Sequence, residues 1–316
     1  MTWRSGLGLV DLVALSAIAV SGALPGLGYQ KSDTLVDAVD AATGLGPGPS
    51  YDRILDLARP WVAPLSLVDF RGNVGSLDQP AAPSRYTEAR LSPFGALALA
   101  AENGEIGPVP IGLINGNTDR RGSRPPFDPR RVITALLHVA ANPGTSDDTL
   151  VGMVGSPRFP TGCEIDGDLD DLFSGRFCPV TLRARARRTA SNPVELAVDC
   201  FPPGVSVLDA IEALTAAGNE PAWARAYPRL ADEVRFPLRD VADTSSRHHQ
   251  QITCRGTAEA TVEDLMRLLR MLWPLGTNML LRLPAPLPIL LRQWVAAADE
   301  EDITASLRQL EKTLSA

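Results

Sequence analysis

The 316-residue chain reads as an α+β fold, and three features of the sequence carry that reading. In the amino-terminal third, apolar side chains recur mostly at helical spacing, broken by glycine and proline clusters. Further on, runs with strand alternation such as "CPVTLRARARRTA" and "PVELAVDCFP" alternate with helical runs such as "SVLDAIEALTAAGN". The length, with 45% hydrophobic residues, is enough for two domains of ordinary size, each with its own core.

The elements follow in order. "LGLVDLVALSAIAVSGAL" has the look of a signal-peptide core, but Asp11 interrupts it and the apolar part is too short to span a bilayer. It predicts a buried helix from about Val10 to Ser21, stopped by Gly22 and Pro25. Helical spacing returns from Lys31 to Asp40 and from Ser50 to Leu57, with "ATGLGPGPS" forcing a loop between them. "APLSLVDFRGNVGS" reads as a strand ending in a turn, and "YTEARLSPFGALALAAENG" as one helix closed by Asn103 and Gly104. A basic, proline-rich loop, "TDRRGSRPPFDP", then feeds a helix from about Pro129 to Ala141. Later, "HHQQITCRGTA" predicts a strand and "TVEDLMRLLRMLWPL" a helix. The tail, "LRQWVAAADEEDITASLRQLEKTLSA", predicts a surface helix or the start of a coiled coil. These divisions place a helix-rich unit at 1–105, an α/β unit at 106–285 and a helical tail at 286–316.

Charge and composition narrow the chemistry. A formal net charge of −7 argues against broad coating by nucleic acid, so any DNA contact must be local. Cys163, Cys178, Cys200 and Cys254 lie far apart without a C-x-x-C, and with three histidines no zinc pattern assembles. They read as reduced structural thiols of a cytoplasmic protein. Asp166, Asp168, Asp170 and Asp171 lack the glycine and distal glutamate of a calcium loop. His248 and His249 read as loop residues, and Met271, Trp273 and Met279 as packing.

Several segments, taken in order, carry more than composition does. "YQKS" from Tyr29, "YDRILDLARPW" from Tyr51, "LVDFRGNVGS" and "AAPSRYTEARL" are followed by "INGN", "GSPRFPTG", "LRARAR", "LRDVAD" and "LGTNM". In this order and near this spacing they resemble the A subunits of bacterial type IIA topoisomerases, the family that comprises the A subunits of DNA gyrase and topoisomerase IV. The resemblance covers residue 28 to about 282.

That resemblance implies a winged-helix domain, a tower domain that cradles double-stranded DNA, and a homodimer or a heterodimer with a gyrase A subunit. It implies that Tyr86 is the nucleophile that joins a DNA 5′ end and that Arg85 stabilises the transition state. These residue types suit such chemistry, since a phenol with an ordinary pKa of about 10 needs help to attack, and a guanidinium fork matches phosphoryl oxygens. The chain carries no metal set of its own in a plausible context, so Mg²⁺ would come through a partner gyrase B-like subunit. DNA contact is implied for Lys31, for the cluster Arg120, Arg121, Arg124, Arg130 and Arg131, and for Arg183, Arg185 and Arg187. The last three alternate along one predicted strand as a stripe of like charge.

Departures from the family are as specific. No histidine lies between Thr43 and Tyr51, where the family has a histidine-rich loop. The family's His-Arg-Arg falls on Asp11, Leu12 and Val13, and its intercalating segment is replaced by "TDRRGSRPPFDP". The chain also stops where the family's long coiled coil and exit gate would begin. Two readings therefore stand side by side. One is a minimal breakage and reunion subunit; the other is a catalytically degenerate paralogue that docks on DNA or on gyrase. For Tyr86 the alternatives are nucleophile or structural tyrosine, for Arg85 a transition-state contact or an ion pair with Glu88, and for the arginine clusters DNA or solvent.

Overall fold

A computed structural model describes residues 4–119, 122–191, 194–217, 237–246, 250–272 and 275–316. It mixes helices with three sheets, ordered β1-β3-β2, β4-β5-β12-β7-β6 and β10-β11-β9-β8. Among the described residues, every strand pairing is antiparallel except β5 with β12, which is parallel.

The first helices form where the spacing predicts them. Helix α1 (Leu9–Val20) buries Ala14, Leu15 and Ile18. Helix α2 (Ser32–Thr43) buries Leu35, Val36 and Val39 and ends at Gly44 in the left-handed region. Helix α3 (Pro47–Ala58) starts on a proline, whose missing N–H costs nothing in the first turn, and buries Ile54 and Leu55. α1 is not the buried helix its composition suggests. Leu9 is 76% and Val20 89% exposed, because only one side of the helix meets the core.

"YTEARLSPFGALALAAENG" is likewise not one helix. Its first part is strand β3 (Glu88–Leu91), which lies between β1 (Gln30–Lys31) and β2 (Val68–Arg71). Ala89 and Leu91 point into the core while Glu88 and Arg90 face the other side. Helix α4 (Pro93–Glu102) begins only after Ser92, whose hydroxyl accepts the Gly95 N–H at 3.1 Å. Asn103 and Gly104 end it, as expected.

A short helix α5 (Ile111–Asn115) and a hairpin of β4 (Asn117–Asp119) and β5 (Gly122–Arg124) lead to α6 (Pro129–Ala141), which Asp128 caps. Next come α7 (Asp147–Val154), β6 (Glu164–Asp166), the short α8 (Asp170–Phe173) and β7 (Cys178–Arg183). After them run β8 (Arg185–Ser191), β9 (Val194–Asp199), α9 (Val207–Ala217), β10 (Leu238–Asp243), β11 (Gln251–Gly256) and α10 (Val262–Met271). Strand β12 (Gly276–Leu281), α11 (Leu287–Val295) and α12 (Glu300–Ser315) finish the chain.

"LRARAR" therefore crosses from one sheet to another. β7 ends at Arg183, Ala184 donates its N–H to the Leu275 carbonyl at 2.8 Å, and β8 opens in the other sheet. The predicted single stripe of Arg183, Arg185 and Arg187 is divided at that point.

Two hydrophobic clusters result. One gathers residues from Ala14 to Leu182 and again from Leu281 to Leu310, so packing is continuous across residue 105 through Ala101, Val109 and Ile111. The other lies between Val194 and Leu275. The tail packs on the first cluster by one face and keeps a polar face exposed, as the surface-helix alternative expects. A break at Ala296 divides it, and Leu287, Leu291, Ile303, Leu307 and Leu310 are fully buried. Its docking is polar as well, since the Ser306 hydroxyl donates to the Pro108 carbonyl at 3.0 Å. All four cysteines are free thiols. Burial pushes Cys254 up to about 12 and Cys200 up to about 11. Met279 packs on the first cluster as expected, whereas Met271 is 43% exposed. Trp273, His248 and His249 lie outside the described residues.

Candidate nucleic-acid interface

The Arg85–Tyr86 pair sits on a single tight turn (Ser84–Tyr86) that runs straight into β3. Pro83 leads into it, and the Tyr86 N–H closes it on the Pro83 carbonyl at 2.9 Å. Thr87, fully buried, anchors it from below: its hydroxyl donates to the Ser84 carbonyl at 3.1 Å and lies 3.0 Å from the Tyr51 hydroxyl. Tyr51, on α3, donates to the Ala82 carbonyl at 2.6 Å. A helix of the core thus holds both ends of the turn.

Two glycines let the neighbouring loop close on it. Gly72, at φ +116°, leaves no room for a side chain: a Cβ there would come within 2.9 Å of Thr87 Cγ2. Gly75, at φ +82°, would meet the 79–81 backbone at 2.8 Å. Gly72 therefore fits closely against Thr87 at the exit of the Tyr86 turn, and Gly75 lets the loop that leads to it fold back on itself.

Tyr86 itself is 66% exposed, and the Arg85 guanidinium lies 4.6 Å from the centre of its ring. The alternative of a semi-buried structural tyrosine does not match this exposure. Nor does Arg85 pair with Glu88, whose carboxylate is held by Lys31 at 2.9 Å.

The outward face of the small sheet carries a network that sequence inspection missed. Tyr29 donates its hydroxyl to Asp69, and Arg90 reaches the same carboxylate oxygen at 2.9 and 3.0 Å. The guanidinium groups of Arg71 and Arg90 lie 3.8 and 4.2 Å from the Tyr29 ring centre. Partial burial and the bond to Asp69 push the Tyr29 phenol above its ordinary pKa. The outward alternation of Asp69 with Arg71 and of Glu88 with Arg90 was the available signal.

The other predicted contacts are dispersed. Arg131 donates to the Met153 and Gly152 carbonyls at 2.8 and 2.6 Å and so caps the end of α7. Arg130 is exposed at the start of α6, and Arg124 lines a cavity of about 420 Å³ together with Asp11, Arg53, Asp56, Arg59 and Trp61. Arg183 pairs with Asp166 at 2.9 Å and donates to the Arg270 carbonyl at 2.6 Å. Arg185 and Arg187 share buried Asp199, at 3.0 and 3.8 Å. The like charges of these three thus have counter-charges inside the chain. Arg120 and Arg121 lie outside the described residues.

Asp11 pairs with Arg53 at 3.0 Å, yet burial outweighs that pairing and raises its pKa. Leu12 and Val13 line an open apolar groove between α1 and α2 with Ala17, Ala38 and Ala41. Among the described residues no three His, Cys, Asp or Glu side chains are grouped to hold a metal ion, and no helix is long and apolar enough to cross a membrane.

No family model matches the chain. Individual proteins do. The DNA gyrase A subunit of Granulibacter bethesdensis is 30% identical over 208 residues, covering 58% of this chain and 22% of that protein. The DNA gyrase A subunit of Helicobacter pylori is 31% identical over 188 residues, covering 52% of this chain and 23% of that protein. The DNA topoisomerase 4 A subunit of Synechocystis is 24% identical over 312 residues, covering 87% of this chain and 32% of that protein. The chain thus spans between a fifth and a third of the length of these relatives.

Proposed function

We propose that this chain, a divergent relative of the DNA gyrase and topoisomerase IV A subunits, binds double-stranded DNA and cuts and rejoins it through Tyr86. In the cutting step the Tyr86 hydroxyl oxygen attacks a backbone phosphorus and gives up its proton. The bond from phosphorus to the 3′ oxygen breaks, leaving a 3′ hydroxyl and a phosphotyrosine on the 5′ end. The ester keeps the bond energy, so the reverse attack rejoins the strand without a further energy source. Arg85 offers its fork to the charge that builds on the phosphoryl oxygens. In this reading the first unit is a winged-helix domain and the next a tower. Mg²⁺ arrives through a gyrase B-like partner, and two A-type chains act as a dimer in the cytoplasm, at the nucleoid.

The observation that carries the reading is the exposed Tyr86, beside Arg85, on a turn locked from the core side by Tyr51 and Thr87. A positioned nucleophile needs both accessibility and a rigid mount.

A second reading, a non-catalytic module that docks on DNA or on gyrase, draws on α1. Where the family's basic triplet would stand, Asp11 is tied to Arg53, and Leu12 and Val13 face an apolar groove. One experiment separates the two. Supercoiled plasmid is incubated with the protein, Mg²⁺ and a cognate B subunit, then treated with denaturant and protease. Nicked or linear plasmid from wild type, absent with Tyr86→Phe, supports the enzyme. No covalent DNA from either, with salt-dependent binding in both, leaves the module.

A further inference from the structure

The Tyr86 turn poses an electrostatic problem. A phosphodiester brought to its hydroxyl needs positive charge beside it, and Asp11, Leu12, Val13 and the histidine-free 43–51 segment supply none. Lys31, Arg71 and Arg90 on the β1-β3-β2 sheet, and Arg85 on the turn, are four basic side chains in two states. Lys31 is committed to Glu88, and Arg90 to Asp69 and to the Leu27 carbonyl. Arg71 and Arg85 are exposed, and each rests on a tyrosine ring. Among the described residues, neither guanidinium carries an ion pair or a hydrogen bond.

Register sets Arg71 beside the strand that leaves the turn. Arg71 is the cross-strand partner of Glu88, two residues beyond Tyr86, and Gly72 packs directly against Thr87. Stacking on Tyr29 and Tyr86 orders each guanidinium plane while leaving its N–H donors unspent. That state suits a ligand with several acceptor oxygens and full negative charge.

We propose that Arg71 is a phosphate-positioning residue: with Arg85 it forms an anion site that holds a DNA backbone phosphate beside Tyr86. This rests on the DNA reading given above. It adds a residue outside the arginine clusters and replaces charge that the α1 triplet does not provide. Tyr29, Asp69 and Arg90 form the support that keeps Arg71 on this face.

The test is a salt titration of binding to a plain duplex oligonucleotide, run beside the covalent-complex assay and thermal melting. The proteins are wild type, Arg71→Gln, Arg71→Lys and, as a control for loss of one surface charge, Arg308→Gln on α12. Arg71→Gln is expected to lower the slope of log affinity against log salt by about 0.9, the value for one lost phosphate contact on duplex DNA, and to cut covalent-complex yield. Arg71→Lys should keep the slope, and Arg308→Gln should leave both readouts at wild-type level. An unchanged slope and yield in Arg71→Gln would overturn the site while leaving DNA binding intact. So would an equal loss in Arg308→Gln, or a lowered melting temperature with the slope preserved, which would mark Arg71 as structural only. Wild type that fails to bind duplex at any salt overturns the DNA reading, and this site with it.

Discussion

The clamp that Tyr51 and Thr87 place under the Tyr86 turn can be weighed by a double-mutant cycle. Tyr51→Phe removes a hydroxyl that donates to the Ala82 carbonyl at 2.6 Å and lies 3.0 Å from the Thr87 hydroxyl. Thr87→Val keeps the shape of a fully buried side chain and removes its hydroxyl, with the 3.1 Å bond to the Ser84 carbonyl. A net hydrogen bond contributes about 1 kcal/mol, so each single variant should lose roughly 1–2 kcal/mol. The two variants share one contact, and the double variant should therefore recover part of the sum, with a coupling of about 0.5–1 kcal/mol. Urea unfolding of the four proteins measures this, provided the slope with denaturant stays constant, so that midpoint shifts report stability. Single losses that simply add, to within about 0.3 kcal/mol, would show that the hydroxyl pair carries no energy, and the rigid-mount reasoning would fail.

Other expectations follow from single positions. Asp11 has its pKa raised by burial, against the pull of Arg53, so it favours the folded state below the ordinary carboxylate pKa. That contribution is lost as pH rises through the folded value; Asp11→Asn should flatten this acid-side decline and be at least as stable as wild type at pH 7, by urea melts across pH. Gly72→Ala forces a Cβ against Thr87 from a left-handed backbone and should cost about 1–3 kcal/mol, whereas Gly48→Ala, with open space around it, serves as the mild control. Leu307→Ala on α12 should cost about 2–5 kcal/mol, as for a core leucine; a loss under about 0.5 kcal/mol would mean that the tail does not pack as described.

What could be read without coordinates divides by the range of the contact that decides it. Helix α6 was legible to its end residues because Asp128, Pro129 and the apolar spacing are all local. Helical spacing continues unbroken through Ser92 and Pro93, so the sequence alone starts α4 too early, whereas these two residues form its N-cap. β3 exists because β1 and β2 flank it, a decision made outside its own residues. Arg85 and Tyr86 stood out in the sequence through the ordered motifs around them. The support of their turn did not, since Tyr29 meets Asp69 across 40 residues and Tyr51 meets Thr87 across 36. The arginine stripe failed for the same reason. Alternation continues unbroken through Ala184, while the change of sheet depends on the Leu275 carbonyl.

That change of sheet has a further consequence. Arg183 and Gly276 are register partners on β7 and β12, so the chain leaves the first cluster and re-enters it at facing positions on neighbouring strands. Among the described residues, β8 to α10 form in effect a cassette spliced into a hairpin. A short tight turn could bridge the same gap at small closure entropy, so excision should leave the larger body able to fold. Each body has its own apolar centre, so the cassette is expected to melt as a separate unit, releasing only local ties to the platform such as the Leu208 N–H on the Asp78 carboxylate at 3.2 Å.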